Sequence, residues 1–438
     1  MSAGAATAEL GTPMALHSAT REPAEADRDH SLALLIGVCS VAFLLRLVFT
    51  WYILPHYGAA RIYGTGSEPI QIGTAIAQGR GFTSLYGVPS GPTAWLPPVY
   101  PLVVAATFRL FGVSSMQSLW CLCIANIVCA TLTTALIYRI GVRCFGPIVG
   151  FAASLLWAVD IGYIAYSVRI WESSLSALLA TLAVLFYLHL RESPARRRDW
   201  VFYGLFWAFA ALTNTVLLTL MPLSVIFLLY RKGRELRRYA LAALVAFACA
   251  LLPWCIRNYV VFHKVIPIRS NFGPNLWYGN HPGVQGPADE FLDPPHNPRE
   301  LQSYLAMGDA AYCSSRQKMA FDFIRQNPAE FAHLTWARVV FFWTGAALTE
   351  RLLPTCWLLL AVLAVLLMVR RHAVPEAVPF ASALLFFPLP YYVTHAESFY
   401  RHPIEPVMGL LVAYACVALL DAGRHVVKAK SIANRSEQ

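Results

Sequence analysis

The chain has 438 residues, of which 57% are hydrophobic and only 13% charged, and its mean hydropathy is +0.52. Soluble globular domains carry about 25% charged residues, so these values exclude a soluble enzyme and indicate a polytopic membrane protein. The formal net charge of +10 is not a nucleic-acid footprint. The basic residues gather in short clusters at span ends, RESPARRR (191–198), RKGRELRR (231–238), RR (370–371) and Arg424, Lys428 and Lys430, without the interleaved aromatics of a nucleic-acid surface, and such clusters mark cytoplasmic loops.

Residues 1–30, rich in Ala, Thr, Ser and Glu, are expected to form a disordered cytoplasmic tail. They lack the n- and h-regions of a cleaved signal peptide, so 31–54 reads as a retained first span. Residues 55–115 are predicted to be the first external loop, with two helices at the membrane surface. The first, 68–78, has Pro69 suited to a helix start and Gly79 and Gly81 to its stop; Ile72, Ala75, Ile76 and Gly79 share one face, on which it is expected to rest on the membrane. The second, 97–112, has about 15 helical residues that reach only ~22 Å, and it carries Arg109. Counting it as a span would also place RESPARRR outside, against the charge rule.

Further spans are predicted at 120–140, 146–166 and 173–190. Residues 200–230 are too many for one span, and a break at Thr213-Asn214 makes two short ones. The span 239–258 leads into a long external segment, 259–350, Pro- and Asn-rich at first and helical near 321–343. Spans at 353–370, 375–393 and 404–420 and a cytoplasmic tail, 422–438, complete the chain. The expectation is an all-α protein of about ten transmembrane helices, with one transmembrane domain over 31–421 and both termini cytoplasmic. Nine of the ten cysteines lie in or beside apolar runs and Cys313 lies in the polar external segment, so no disulfide framework or metal-binding CxxC pair is read.

The chemistry is sought among ionisable groups at the external membrane edge, where charge is costly unless hydrated or used. Glu68 sits in the first turn of its helix, where the dipole favours the ionised form and hence a base; plain dipole complementation is the other reading. Asp160 and Glu172 flank IGYIAYSVRIW outside the third and fourth spans, as additional acids or as hydrated loop residues. Arg46 lies about 12 Å inside the first span, and Arg257 emerges at a span end, where its fork could grip phosphate oxygens or snorkel to headgroups. Asn275, Trp277, Tyr278 and Asn280 could bind a sugar by hydrogen bonds and stacking, or serve turn geometry. His395 and Glu397 lack a third ligand, so no metal is assigned.

GSEPIQIGTAIAQGRGFTS followed by GPTAWLPPVYPLVVAATFRLFG resembles the first external loop of the GT-C superfamily of polyprenyl-phosphate-sugar-dependent glycosyltransferases, in particular its family 39 and aminoarabinose-transferase-like proteins. PWCIRNYVVFHKVIPIRSNFGPNLWYGNHPGVQG, FIRQNPAEF and YRHPIEP extend the likeness over residues 30–420. The resemblance implies transfer of a sugar from a polyprenyl-phosphate carrier, such as undecaprenyl phosphate in a bacterial inner membrane, to a glycan, lipid or protein on the extracytoplasmic side. It makes Glu68 the catalytic base by position and, through YRHPIEP, favours Arg401 and His402 beside Arg257, Arg109 and Arg46 as candidate ligands of the donor phosphate.

Many members show two adjacent acids in this loop, whereas here Ser67 precedes Glu68. One base is chemically sufficient, because a phosphate leaves without protonation and an inverting single displacement needs only the acceptor's proton removed. No cofactor follows from these residues, and a divalent cation stays open. A transporter or flippase of lipid-linked sugars is the alternative reading: broken helices as at Thr213-Asn214 suit it, acids outside the spans do not.

Overall fold

The computed structural model describes residues 25–64, 67–192, 196–232, 235–284, 286–287, 292–345 and 351–436. They contain nineteen α-helices: α1 Glu25–Tyr57, α2 Ala59–Gly64, α3 Ser67–Ala77, α4 Val99–Phe111, α5 Met116–Phe145, α6 Pro147–Val159, α7 Ile161–Ala165, α8 Ser173–Glu192, α9 Arg197–Thr213, α10 Met221–Lys232, α11 Glu235–Phe262, α12 Phe272–Gly279, α13 Pro298–Met307, α14 Asp309–Gln326, α15 Pro328–Thr344, α16 Leu352–Arg370, α17 Val374–Leu385, α18 Leu389–Val393 and α19 Glu405–Ser436. No strand occurs among the described residues, only an isolated bridge between Thr83 and Pro92.

Among the described residues, seven helices are long and apolar enough to cross a membrane, Ser31–Tyr57, Met116–Phe145, Ser173–Glu192, Arg238–Phe262, Leu352–Arg370, Val374–Val393 and Ser398–His425. The pair Pro147–Val159 and Ile161–Val168, bent by 55°, makes an eighth if it is one span. The expected ten also counted the two halves of 200–230. They are separate helices broken at Asn214, but α9 has 17 residues and α10 has 12, below the length of a typical span. Of the expected N-terminal tail, 1–24 lies outside the described residues and 25–30 is already helix; the expected C-terminal tail continues α19 as helix to Ser436.

The largest core joins α5, α6, α8, α9, α17 and α19 around Trp157, Tyr187, Trp200, Phe380 and Leu410. The segment 55–115 packs on this bundle through α3 and α4. Gly73 of α3 touches α4 so closely that an added Cβ would collide with the Val104 side chain, and Ile72 and Ala75 are fully buried. The apolar face of α3 therefore rests on protein instead of lipid, Ile72 entering a cluster with Phe82, Trp95 and Tyr304. Burial there orients the helix and fixes where its first turn, with Glu68, stands.

Candidate active site

A cavity of about 510 Å³ opens between the N-terminus of α8, the break at Asn214, the start of α12 and the segment 390–403. Glu172, Arg269, Asn271, Asn275, His395 and Tyr400 give it its polar groups, and Trp171, Tyr391 and Phe399 its aromatic walls.

Arg269 owes its place to the backbone on either side. Ile268 accepts a hydrogen bond from Trp254 Nε1 at 2.6 Å and Ser270 N donates to Ala94 O at 2.8 Å, while Arg269 Nε donates to Asn271 Oδ1. Glu68 stands partly buried beside this group, in the field of Arg269, Asp293 and Glu172. Burial, and next the like charge of Asp293, push its carboxyl up to about 8, against the pull of Arg269 and a hydrogen bond from Trp95. This reverses the expectation that the helix dipole keeps Glu68 ionised: desolvation outweighs a dipole of a few tenths to 1 kcal/mol. Burial likewise raises Glu172 to about 7, opposed by its own backbone N–H, Arg269, Trp171 and Arg169. Two carboxyls that titrate near neutrality around one guanidinium form a proton-accepting site.

His395 is buried, and burial lowers it to about 4, so its ring is neutral; Nε2 lies 2.7 Å from the Tyr400 hydroxyl. Tyr278, edge-on to His395, donates to Asp293 Oδ1 at 3.2 Å. A second hollow of about 450 Å³ lies next door, lined by Phe49, Ile53 and Tyr57 of α1, Arg61, Arg169 and Phe399. Phe399 walls both spaces, and the Arg169 guanidinium lies 3.8 Å over its ring.

Of the residues singled out in the sequence, Glu172 and Asn275 line this cavity, and Glu68 and Tyr278 stand beside its charged groups without lining it. The phosphate candidates are engaged elsewhere. Arg46 is fully buried and donates to the carbonyls of Ala42, Trp157 and Ala158 at 3.2, 2.8 and 3.1 Å, pinning α1 to the end of α6. Arg109 donates to Ile76 O at 3.1 Å, at the end of α3. Arg257 clamps the turn 82–93, donating to Thr93 O at 2.8 Å and Phe82 O at 3.0 Å. Arg401 donates to Phe342 O, Trp343 O and Glu405 Oε1, and His402 is buried, stacked on Tyr166 and 3.0 Å from Glu405 Oε2.

Asp160 accepts from Tyr163 N as the cap of α7, Trp277 packs with Val284, Phe323 and Leu334, and Asn280 bonds Leu276 O, Val393 O and Arg338. Arg269 and His395 are cavity groups that the sequence alone did not assign to a site. Their visible signals are a lone charge between Pro267 and an Asn-rich run, and a histidine between an apolar helix and Glu397. Asp289, Glu290 and Glu350 lie outside the described residues. No three His, Cys, Asp or Glu side chains come together as a metal-ligand set among the described residues.

The all-helical, polytopic fold has solved counterparts. The chain is similar to the archaeal oligosaccharyltransferase AglB from Archaeoglobus fulgidus, solved with an inhibitory peptide and a dolichol-phosphate: TM-score 0.57, 14% identity, 94% of this chain and 52% of that one. The apo form of the Archaeoglobus enzyme gives 0.57 at 13% identity over 94% and 53%. The chain thus spans about half the length of these structures. A weaker likeness is to ArnT from Cupriavidus metallidurans bound to undecaprenyl phosphate, TM-score 0.34, 14% identity, over 82% of this chain and 78% of that one. Residues 96–256 match the family described as dolichyl-phosphate-mannose-protein mannosyltransferase. No curated protein matches the chain in sequence.

Proposed function

We propose that the protein is an integral-membrane glycosyltransferase that moves a sugar from a polyprenyl-phosphate carrier to an acceptor glycan, lipid or protein by single displacement with inversion. The observation that carries this reading is a cavity lined by Glu172 and Arg269, in whose field Glu68 stands, that shares the Phe399 wall with a hollow along α1. The hollow, lined by Phe49, Ile53 and Tyr57, suits an isoprenoid tail. Arg169 at the junction suits the phosphate, and the larger cavity suits the sugar. The AglB structure holds a dolichol-phosphate, and the family matched over 96–256 is named for such a carrier.

Ionised Glu68 takes the proton from the acceptor hydroxyl or amine as that atom attacks the anomeric carbon. The bond from that carbon to the phosphate oxygen breaks, and its electron pair leaves on the phosphate, whose growing charge the guanidinium groups stabilise. The basic loops support cytoplasmic termini and, with them, a site on the extracytoplasmic side, as in a bacterial inner membrane. The test is to incubate purified protein with a panel of undecaprenyl-phosphate sugars and acceptors and to follow release of the lipid phosphate. Transport of the intact donor without release, equal in wild type and Glu68→Gln, would establish the flippase reading instead.

A further inference from the structure

From the Asn214 edge of the acid-lined cavity, α9 runs back beside α11, the two helices pointing in the same direction. Gly204 meets Ala243 so closely that an added Cβ would collide with the Ala243 carbonyl, and further along Ala208 and Ala211 share a cluster with Phe247 and Leu251. Because the helices are parallel, their N-terminal ends, each with an arginine, lie at the same end of the pair. There the structure has a groove of about 980 Å³ lined by Arg197, Val201, Arg238, Tyr239, Leu241 and Val245, among others.

Arg197 and Val201 are four residues apart on α9, and Arg238, Leu241 and Val245 follow on one side of α11, so a charged end passes into an apolar trough. Both arginines are exposed, and among the described residues neither has an ion pair or a side-chain hydrogen bond. The cap of α9, Arg196, supplies no side-chain acceptor, so the first N–H groups and the dipole of that helix add to the positive field. Leu241 and Val245 are 60% and 52% exposed, more apolar surface than water tolerates without cost but ordinary against acyl chains.

We propose that this groove is a binding site for an anionic phospholipid, its phosphate seated between Arg197 and Arg238 and its acyl chains laid along Val201, Leu241 and Val245. Basic pockets between helices at the cytoplasmic rim hold such headgroups, because two guanidinium forks satisfy a phosphodiester and the net charge of the lipid is attracted over a Debye length. A zwitterionic lipid offers the same phosphate with its charge cancelled by choline, so the groove discriminates by charge. Neither the chemistry nor the location depends on the transferase reading.

The experiment is native mass spectrometry of the detergent-solubilised full chain, titrated with phosphatidylglycerol or phosphatidylcholine. One phosphatidylglycerol adduct is expected to bind roughly twenty-five-fold tighter than phosphatidylcholine, about five-fold per arginine, the factor for a contact of about 1 kcal/mol. Arg197→Gln/Arg238→Gln should bring that ratio close to one. Val245→Trp, which fills the trough and leaves both charges, should weaken phosphatidylglycerol binding. Should the double variant not fold, Arg238→Gln alone, checked by thermal unfolding, should lose about five-fold. A wild-type ratio near one, a preference that survives loss of the arginines, or full binding by Val245→Trp would overturn the site, the last by showing diffuse surface charge without a groove.

Discussion

Replacing Glu68 by Gln separates catalysis from folding, because the two respond to the same carboxyl in opposite ways. With Glu68 at about 8, roughly one-tenth of it is ionised at pH 7 and roughly nine-tenths at pH 9. If the ionised form is the base, kcat/KM, which reports the free enzyme, rises about ten-fold between those values. Glu68→Gln removes the base and should lower turnover by about 10² to 10⁴ at every pH. Stability moves the other way. From the ordinary value of 4.5 up to about 8, the folded carboxyl still holds a proton that the unfolded chain has released. Stability therefore falls as pH rises through that window, and ionised Glu68 is a burden on the fold at pH 9. Glu68→Gln has no such slope and should unfold at a higher temperature than wild type at pH 9, with little difference at pH 4.5. The assays are release of polyprenyl phosphate and thermal unfolding, each from pH 6 to 9, with the unfolding series extended to 4.5. A flat kcat/KM profile together with an active Gln variant would refute the assignment of the base.

The surrounding charges give further tests. Glu172→Gln removes a negative neighbour that raises Glu68, so the midpoint of the kcat/KM profile should move toward acid; Arg269→Gln removes a lowering charge and should move it toward alkali. Arg257→Ala frees the turn 82–93 from its clamp and should lower the unfolding temperature while leaving the donor KM unchanged; a raised KM would restore Arg257 as a phosphate ligand. Arg46→Met leaves three carbonyls without their charged donor and should cost about 3 kcal/mol of stability, read by unfolding, without shifting the pH profile. Gly204→Val drives a side chain into the Ala243 backbone and should cost about 3 kcal/mol, the upper end for overpacking, seen as a lower unfolding temperature.

The all-helical, polytopic character of the chain was decided by composition, since the hydrocarbon core admits only helices or closed barrels and apolar runs of this length select the former. Local signals also sufficed for the break at Asn214 and for a helix opening beside Glu68, because caps, prolines and glycines act within a few residues. The resemblance read from GSEPIQIG and its following motifs agrees with the fold comparison for the same reason: motif order travels with the chain.

Which charges face the cavity was not legible in that way. Arg109, Arg257 and Arg401 stand near helix ends as a phosphate ligand would and Arg46 lies within a span, yet their forks are used on carbonyls supplied by residues 4 to 175 positions away. Arg269 reaches the site because Trp254 and Ala94 fix the loop around it. The protonation of Glu68 is likewise a tertiary property: its helix alone favours the charge, and only burial beside Asp293 and Glu172 reverses that preference. Desolvation and long-range contacts depend on what the folded chain brings near, and no window of sequence contains it.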